Sequence, residues 1–169
     1  MLNALRRRAE TRRGSERLLA ELVARARRPV FYEKLAVPDT IDGRFDLLVL
    51  HAWLVLEQLR QQGSARLSQS LVDALFIHFD EALREQGAGD IGMGRRMTKF
   101  ADAFYGRLKA YGQAADAAAL AEAIRRNVFR GDAVKVEPAR ALAIYAAAAR
   151  ERLSGQDLAA EAPDFGPEP

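Results

Sequence analysis

Apolar side chains recur along the chain at three- and four-residue spacing, and runs that alternate apolar with polar are nearly absent, so the pattern predicts helices throughout. A first segment, to about residue 28, puts Leu18, Leu19, Leu22 and Val23 on one face. Its earlier part, with Arg6, Arg7, Arg8, Arg12 and Arg13, has only a thin apolar face and is expected to fray or to fold on contact. Pro29 stops this helix, and a short one is expected within residues 30–37. Pro38, Asp39 and Thr40 then set up a new start, with Asp39 or Thr40 as cap and Asp42 near the positive helix end. The helix that follows, to about residue 62, is almost wholly apolar over 45–56 and is expected to be the buried centre, its start fixed by Asp42, Gly43 and Arg44. After Gly63 and Ser64, residues 67–85 carry Leu67, Leu71, Val72, Leu75, Phe76, Phe79 and Leu83 on one broad face. A glycine-rich break over 87–94 precedes the most amphipathic helix, 95–111. Leu120, Ile124 and Val128 mark another helix ending near Gly131, and Pro138 suits the first turn of a last one holding Leu142, Tyr145 and Leu153 among alanines. Beyond Ser154 the chain is poor in apolar residues and rich in proline, glycine and acids, so a mobile tail is expected. The expected architecture is all-α, a single-domain bundle of about six or seven helices. It divides into a basic N-terminal segment over 1–14, a helical domain over 15–153 and a disordered tail over 154–169.

Composition narrows the chemistry. A chain of 169 residues suffices for one domain with a real core. It has no cysteine, which excludes disulfides, thiolate catalysis and thiolate metal sites, and only two histidines. The arginine-rich start lacks the apolar centre of a secretory signal, and the apolar stretch 45–56, broken by Asp46 and His51, is far short of the roughly 18 residues a membrane span needs. A cytoplasmic protein is expected, with peripheral contact at the inner face of the membrane as an extension of that reading. Net charge is only +3, but nine arginines stand against three glutamates in the first thirty residues, so the positive charge is polarised toward the N-terminus.

Gly87, Gly89 and Gly92 match the spacing of a dinucleotide-binding loop, but no strand precedes them, and the segment reads as an interhelical turn. His51 interrupts the apolar helix in line with Arg44 and Gln58, and is read as a buried histidine whose hydrogen bonds are met inside the protein. His78 lies at the edge of an apolar face and reads as boundary packing. No histidine has a metal-ligand neighbour at suitable spacing, and no serine stands in a nucleophilic context. No enzyme, metal or cofactor is expected.

The helix over 95–111 is the most informative. A rotation of about 100° per residue gathers Met93, Met97, Phe100, Phe104, Leu108 and Tyr111 on one side and Arg95, Arg96, Lys99, Arg107 and Lys109 on the other, with Asp102 moderating the charge. Gly106 shares the stripe of Arg95, Lys99 and Asp102, where glycine costs roughly 1 kcal/mol against alanine, and reads as a place for a partner helix to approach.

Taken together, Phe31-Tyr32, the run Val37-Pro38-Asp39-Thr40-Ile41-Asp42-Gly43-Arg44-Phe45, Leu50-His51, Gly89-Asp90 and Phe104-Tyr105-Gly106-Arg107 with Tyr111 resemble the ubiquinol-cytochrome c chaperone family in its alphaproteobacterial form. The resemblance covers about residues 18–153, and the spaced combination is far more specific than any single motif. It implies an assembly factor that binds newly made cytochrome b and promotes assembly of the respiratory cytochrome bc complex. It also implies contact with the ribosome near its tunnel exit, and the mitochondrial members work with a small partner subunit. Gly94 stands before Arg95-Arg96 where the family often has proline. The client-contacting residues expected on this basis are Arg44, Asp90, Arg95, Arg96, Lys99, Tyr105, Gly106 and Arg107. Pro38, Asp39, Thr40, Asp42, Gly43 and His51 are expected to hold the fold. A second class of function remains open: an adaptor whose arginine-rich N-terminus meets the ribosome or an anionic membrane.

Overall fold

The computed structural model describes residues 2–85 and 93–169. The glycine motif over 87–92, with Asp90, lies outside the described residues. Among the described residues there is no strand, and the helices are α1 (Leu2–Ala26), α2 (Val30–Glu33), α3 (Ile41–Gln61), α4 (Ala65–Glu85), α5 (Met93–Gly112), α6 (Ala117–Val128) and α7 (Val136–Leu153), with a 3-10 turn at Ala133–Lys135. The all-α bundle is the expected one. No described helix is long and apolar enough to cross a membrane.

Helix α3 is the axis of the bundle and packs against α1, α4, α5, α6 and α7. Every residue from Asp46 to Leu56 is buried, which is why that run is apolar all round instead of striped. Its start is built as the sequence suggests. The Thr40 side chain caps the helix, accepting the Gly43 N–H at 3.1 Å, while Asp39 is left to pair with Arg44 at 2.7 Å. Gly43 is required by the turn, since a Cβ there would overlap the Pro38 carbonyl oxygen. At the other end Gly63, with φ +68°, reverses the chain, and Ser64 N–H reaches back to Leu59 O at 2.9 Å.

Helix α4 buries Leu67, Leu71, Leu75, Phe79 and Leu83, a ridge with one residue per turn. Helix α1 crosses it closely at Gly14 and Ser15, whose hydroxyl lies 2.8 Å from that of Ser70. Helix α1 is continuous from Leu2, so the basic segment before Gly14 is the exposed first half of a long helix. Helices α6 and α7 meet through small residues, with Ala123, Ala139, Ala143, Ala146 and Ala149 all buried.

The tail departs from the expectation of disorder. Leu158 is fully buried, Phe165 is 6% exposed, and Arg17 and Arg25 of α1 hold its carbonyls. Two apolar side chains spaced along the tail, together with arginines presented by a distant helix, supply what local composition lacks.

Candidate functional site

The polar groups inside the bundle come first, because they decide which of the candidate residues are free to meet a partner. His51 is fully buried on α3. Its Nδ1 lies 2.8 Å from Leu47 O, which can only accept, so Nδ1 carries the proton and Nε2 accepts from the Tyr145 hydroxyl at 2.9 Å. That hydroxyl accepts in turn from Arg25 Nε at 2.9 Å. The chain of bonds ties α1, α7 and α3 together and is complete with a neutral imidazole. Burial pushes the His51 pKa down to about 4. The reading of His51 as a satisfied core histidine holds.

Asp46, also fully buried, carries a second network. Arg107 of α5 donates to Oδ1 through Nε at 2.7 Å, and Nη1 of Arg130, from the loop after α6, lies 2.7 Å from Oδ2. Burial raises the Asp46 carboxyl above its ordinary range, while the two guanidiniums pull it back down. Arg130, just past the Phe129 cap of α6, adopts φ +56°, the left-handed region that glycine prefers, and Gly131 N–H after it reaches back to Arg125 O at 2.9 Å. The Tyr111 hydroxyl is buried without a hydrogen-bond partner among the described residues, and burial raises its pKa.

This network corrects one candidate. Arg107, expected on the exposed basic face, turns inward: its side chain is only 13% exposed, and its guanidinium lies over the Phe45 ring at 5.2 Å. The physical reason is Asp46, whose buried carboxylate on the facing helix draws a cation from the edge of the polar stripe. The other candidates stand outside. Arg95, Arg96 and Lys99 are exposed on the first turns of α5. Tyr105 is 54% exposed and stacks on Phe76 at 6.1 Å. Gly106 is exposed, and among the described residues nothing lies within 4 Å of where its Cβ would stand. Arg44 is exposed at the start of α3 and paired with Asp39. Asp42, an N-terminal residue of α3, is exposed and lies 3.7 Å from Arg130. Asp90 is outside the described residues.

The structure adds a groove that residue spacing alone does not reveal. About 430 Å³ in volume, it opens between the end of α1, the start of α3, the end of α4 and α5. Phe45, Leu48, Phe79, Leu83 and Phe100 line it, with Arg27, Arg44 and His78 also contributing. Three of its rings form one cluster, Phe45 lying 5.2 Å from Phe79 and 4.9 Å from Phe100. Arg96 precedes Phe100 by about one helical turn, so the basic start of α5 and the aromatic groove are neighbouring parts of one surface. Among the described residues no group of three or more His, Asp or Glu side chains could hold a metal.

Comparison with known proteins agrees with these features. The profile of the ubiquinol-cytochrome c chaperone family matches residues 33–161. The ubiquinol-cytochrome-c reductase complex assembly factor 1 of Xenopus laevis is 26% identical over 102 residues, covering 58% of this chain and 51% of that protein. This chain thus spans about half the length of that curated relative. The crystal structure of the Cbp3 homolog from Brucella abortus superposes with a TM-score of 0.83 at 35% identity, covering 97% of each chain. The matched segment holds the α3 start, His51 with Tyr145, the Asp46 network and the α5 surface, and on that extent of similarity the chain belongs to the ubiquinol-cytochrome c chaperone family.

Proposed function

We propose that this protein is an assembly chaperone that binds newly made cytochrome b and promotes its incorporation into the ubiquinol-cytochrome c reductase complex. The match of the family profile over 33–161 carries this reading. The surface of α5 fits it physically: an aromatic groove accepts apolar side chains of a membrane-protein client, and Arg96, one turn before Phe100, with Arg95 and Lys99 further round the same helix, attracts acidic residues bordering them. Gly106 and Tyr105 extend the same face and give a client helix a place for close approach. The client is met at the inner face of the cytoplasmic membrane, where its cytoplasmic segments are within reach. Deleting the gene is expected to abolish cytochrome b accumulation and the assembled bc complex while other respiratory complexes remain. Normal levels of both would remove the proposal.

A second contact is favoured by one observation. Arg6, Arg7, Arg8, Arg12 and Arg13 are all exposed on the first half of α1, ahead of its crossing with α4 at Gly14. That cationic arm suits a polyanionic surface beside emerging membrane proteins, either the ribosome or anionic lipid. Removing residues 1–13 and repeating sedimentation with ribosomes and with anionic liposomes distinguishes the two.

A further inference from the structure

The tail after α7 lies against the bundle in the way a bound peptide lies in its site. Phe165 is the anchor: it is buried, stands edge-on to His51 at 5.3 Å, and shares the Arg25 guanidinium with Phe31 and Tyr145, at 5.8, 5.9 and 5.3 Å from the three ring centroids. The tail backbone is gripped by arginines, Arg25 donating to Gly166 O at 3.1 Å and Pro167 O at 3.0 Å, and Arg17 to Leu158 O at 3.1 Å and Ala159 O at 3.0 Å. Acids flank the anchor on both sides. Asp164 accepts from Arg152 at 2.6 Å, and Glu168 pairs with Arg28. Gly166 takes φ +80°, and a Cβ there would come within 3.1 Å of Arg152 Cδ, so the turn after the aromatic demands glycine.

The walls of this cleft belong to helices α1, α2, α3 and α7 and to Arg28 just after α1, and the tail brings three buried apolar side chains to it, Leu158, Pro163 and Phe165. The Arg28–Glu168 and Arg152–Asp164 pairs are solvent-exposed and hold weakly. Against those stand the ordering of the whole tail, so its release needs far less free energy than unfolding the bundle.

We infer that the cleft formed by Arg17, Arg25, Arg28, Phe31, His51 and Tyr145 is a peptide-binding site for an extended acidic segment of a partner protein. The segment carries an aromatic residue followed by glycine and flanked by acids, and the chain's own tail is the detachable occupant that a partner displaces. This inference is independent of the client and of the α5 surface. It is an autoinhibited docking site on another side chain cluster of the same bundle.

The test uses the full-length chain with Phe165→Asp, which removes the anchor and leaves every wall residue in place, and a fluorescent peptide of residues 155–169. The variant is expected to keep the helical circular dichroism of the parent and to bind the peptide saturably. The parent, whose own tail competes, binds it about tenfold more weakly, and a peptide with Phe165→Ala binds the variant at least about tenfold more weakly than the unaltered peptide. Absence of saturable binding, equal affinity of parent and variant, or indifference to the Phe165→Ala change each overturns the inference. Loss of the helical fold in the Phe165→Asp chain overturns it too, because the tail would then be part of the core.

Discussion

A carboxylate buried in an apolar helix is an expensive residue, and Asp46 shows what makes it tolerable. Its two arginines arrive from different elements, Arg107 from α5 and Arg130 from the loop beyond α6, so the ion pair also fixes where those elements sit on α3. Removing one member of such a buried pair leaves the others desolvated, which typically costs about 3–5 kcal/mol. Asp46→Asn is therefore expected to lower stability by about 3 kcal/mol, read as a shift of the urea midpoint at constant slope; Arg130, half exposed, recovers part of its hydration. Tyr111 makes the opposite case. Its hydroxyl is buried with no partner among the described residues, so Tyr111→Phe removes an unmet polar group while keeping the ring against Trp53 at 5.6 Å. Its thermal midpoint is expected to equal or exceed that of the parent, and a drop of several degrees would reveal a partner for the hydroxyl.

Between elements, the bond chain through Arg25, Tyr145 and His51 locks α1 to α7 and both to α3. A proton on His51 Nε2 would need an acceptor, but the Tyr145 oxygen already receives Arg25, and accepting from both would strand the hydroxyl hydrogen. Burial, with the Arg25 charge nearby, holds the folded pKa near 4, below the ordinary 6.5, and the unfolded chain takes up a proton that the fold refuses. The stability that neutral His51 allows is fully present above about pH 6.5 and is lost as pH falls toward 4, by about 3 kcal/mol in all. Denaturant titrations at pH 7, 6 and 5 are expected to show that fall, and His51→Phe to flatten it, leaving the smaller contribution of half-buried His78, whose pKa burial also lowers. The elements themselves were legible in the sequence because each signal is local: Thr40 caps, Gly63 reverses, Pro29 stops, and the ridge on α4 repeats every turn. The partners of His51 and Asp46 were not, since Tyr145 and Arg130 lie far along the chain and nothing in spacing joins them. Arg107 was misplaced for the same reason, its projection putting it on the polar face while a carboxylate on another helix turned it inward. The tail was misjudged because its order comes from α1, through Arg17 and Arg25, and not from its own composition.

For the whole molecule, charge is sorted by depth and by location. Arginines that hold the fold, Arg25 and Arg107, are engaged by aromatic rings and buried partners, whereas Arg95, Arg96 and Lys99 are exposed on the first turns of α5. That division makes the proposed client surface separable from stability. Surface substitutions away from packing and caps usually change stability by less than about 0.5 kcal/mol, so the triple change Arg95→Glu, Arg96→Glu and Lys99→Glu is expected to leave the thermal midpoint nearly unchanged. The same change reverses the field at the groove, and client acids that were attracted are repelled. Cytochrome b accumulation in cells carrying the variant is expected to fall toward that of the deletion strain. A change to glutamine at the three positions, which removes charge without reversing it, is expected to give an intermediate level. Because attraction between exposed charges is screened within about 8 Å at physiological ionic strength, capture of a client segment by the purified parent should weaken as salt is raised, whereas the Gln variant should show a flatter response. Normal cytochrome b levels in the Glu variant with its fold intact would remove the basic start of α5 from the proposed contact.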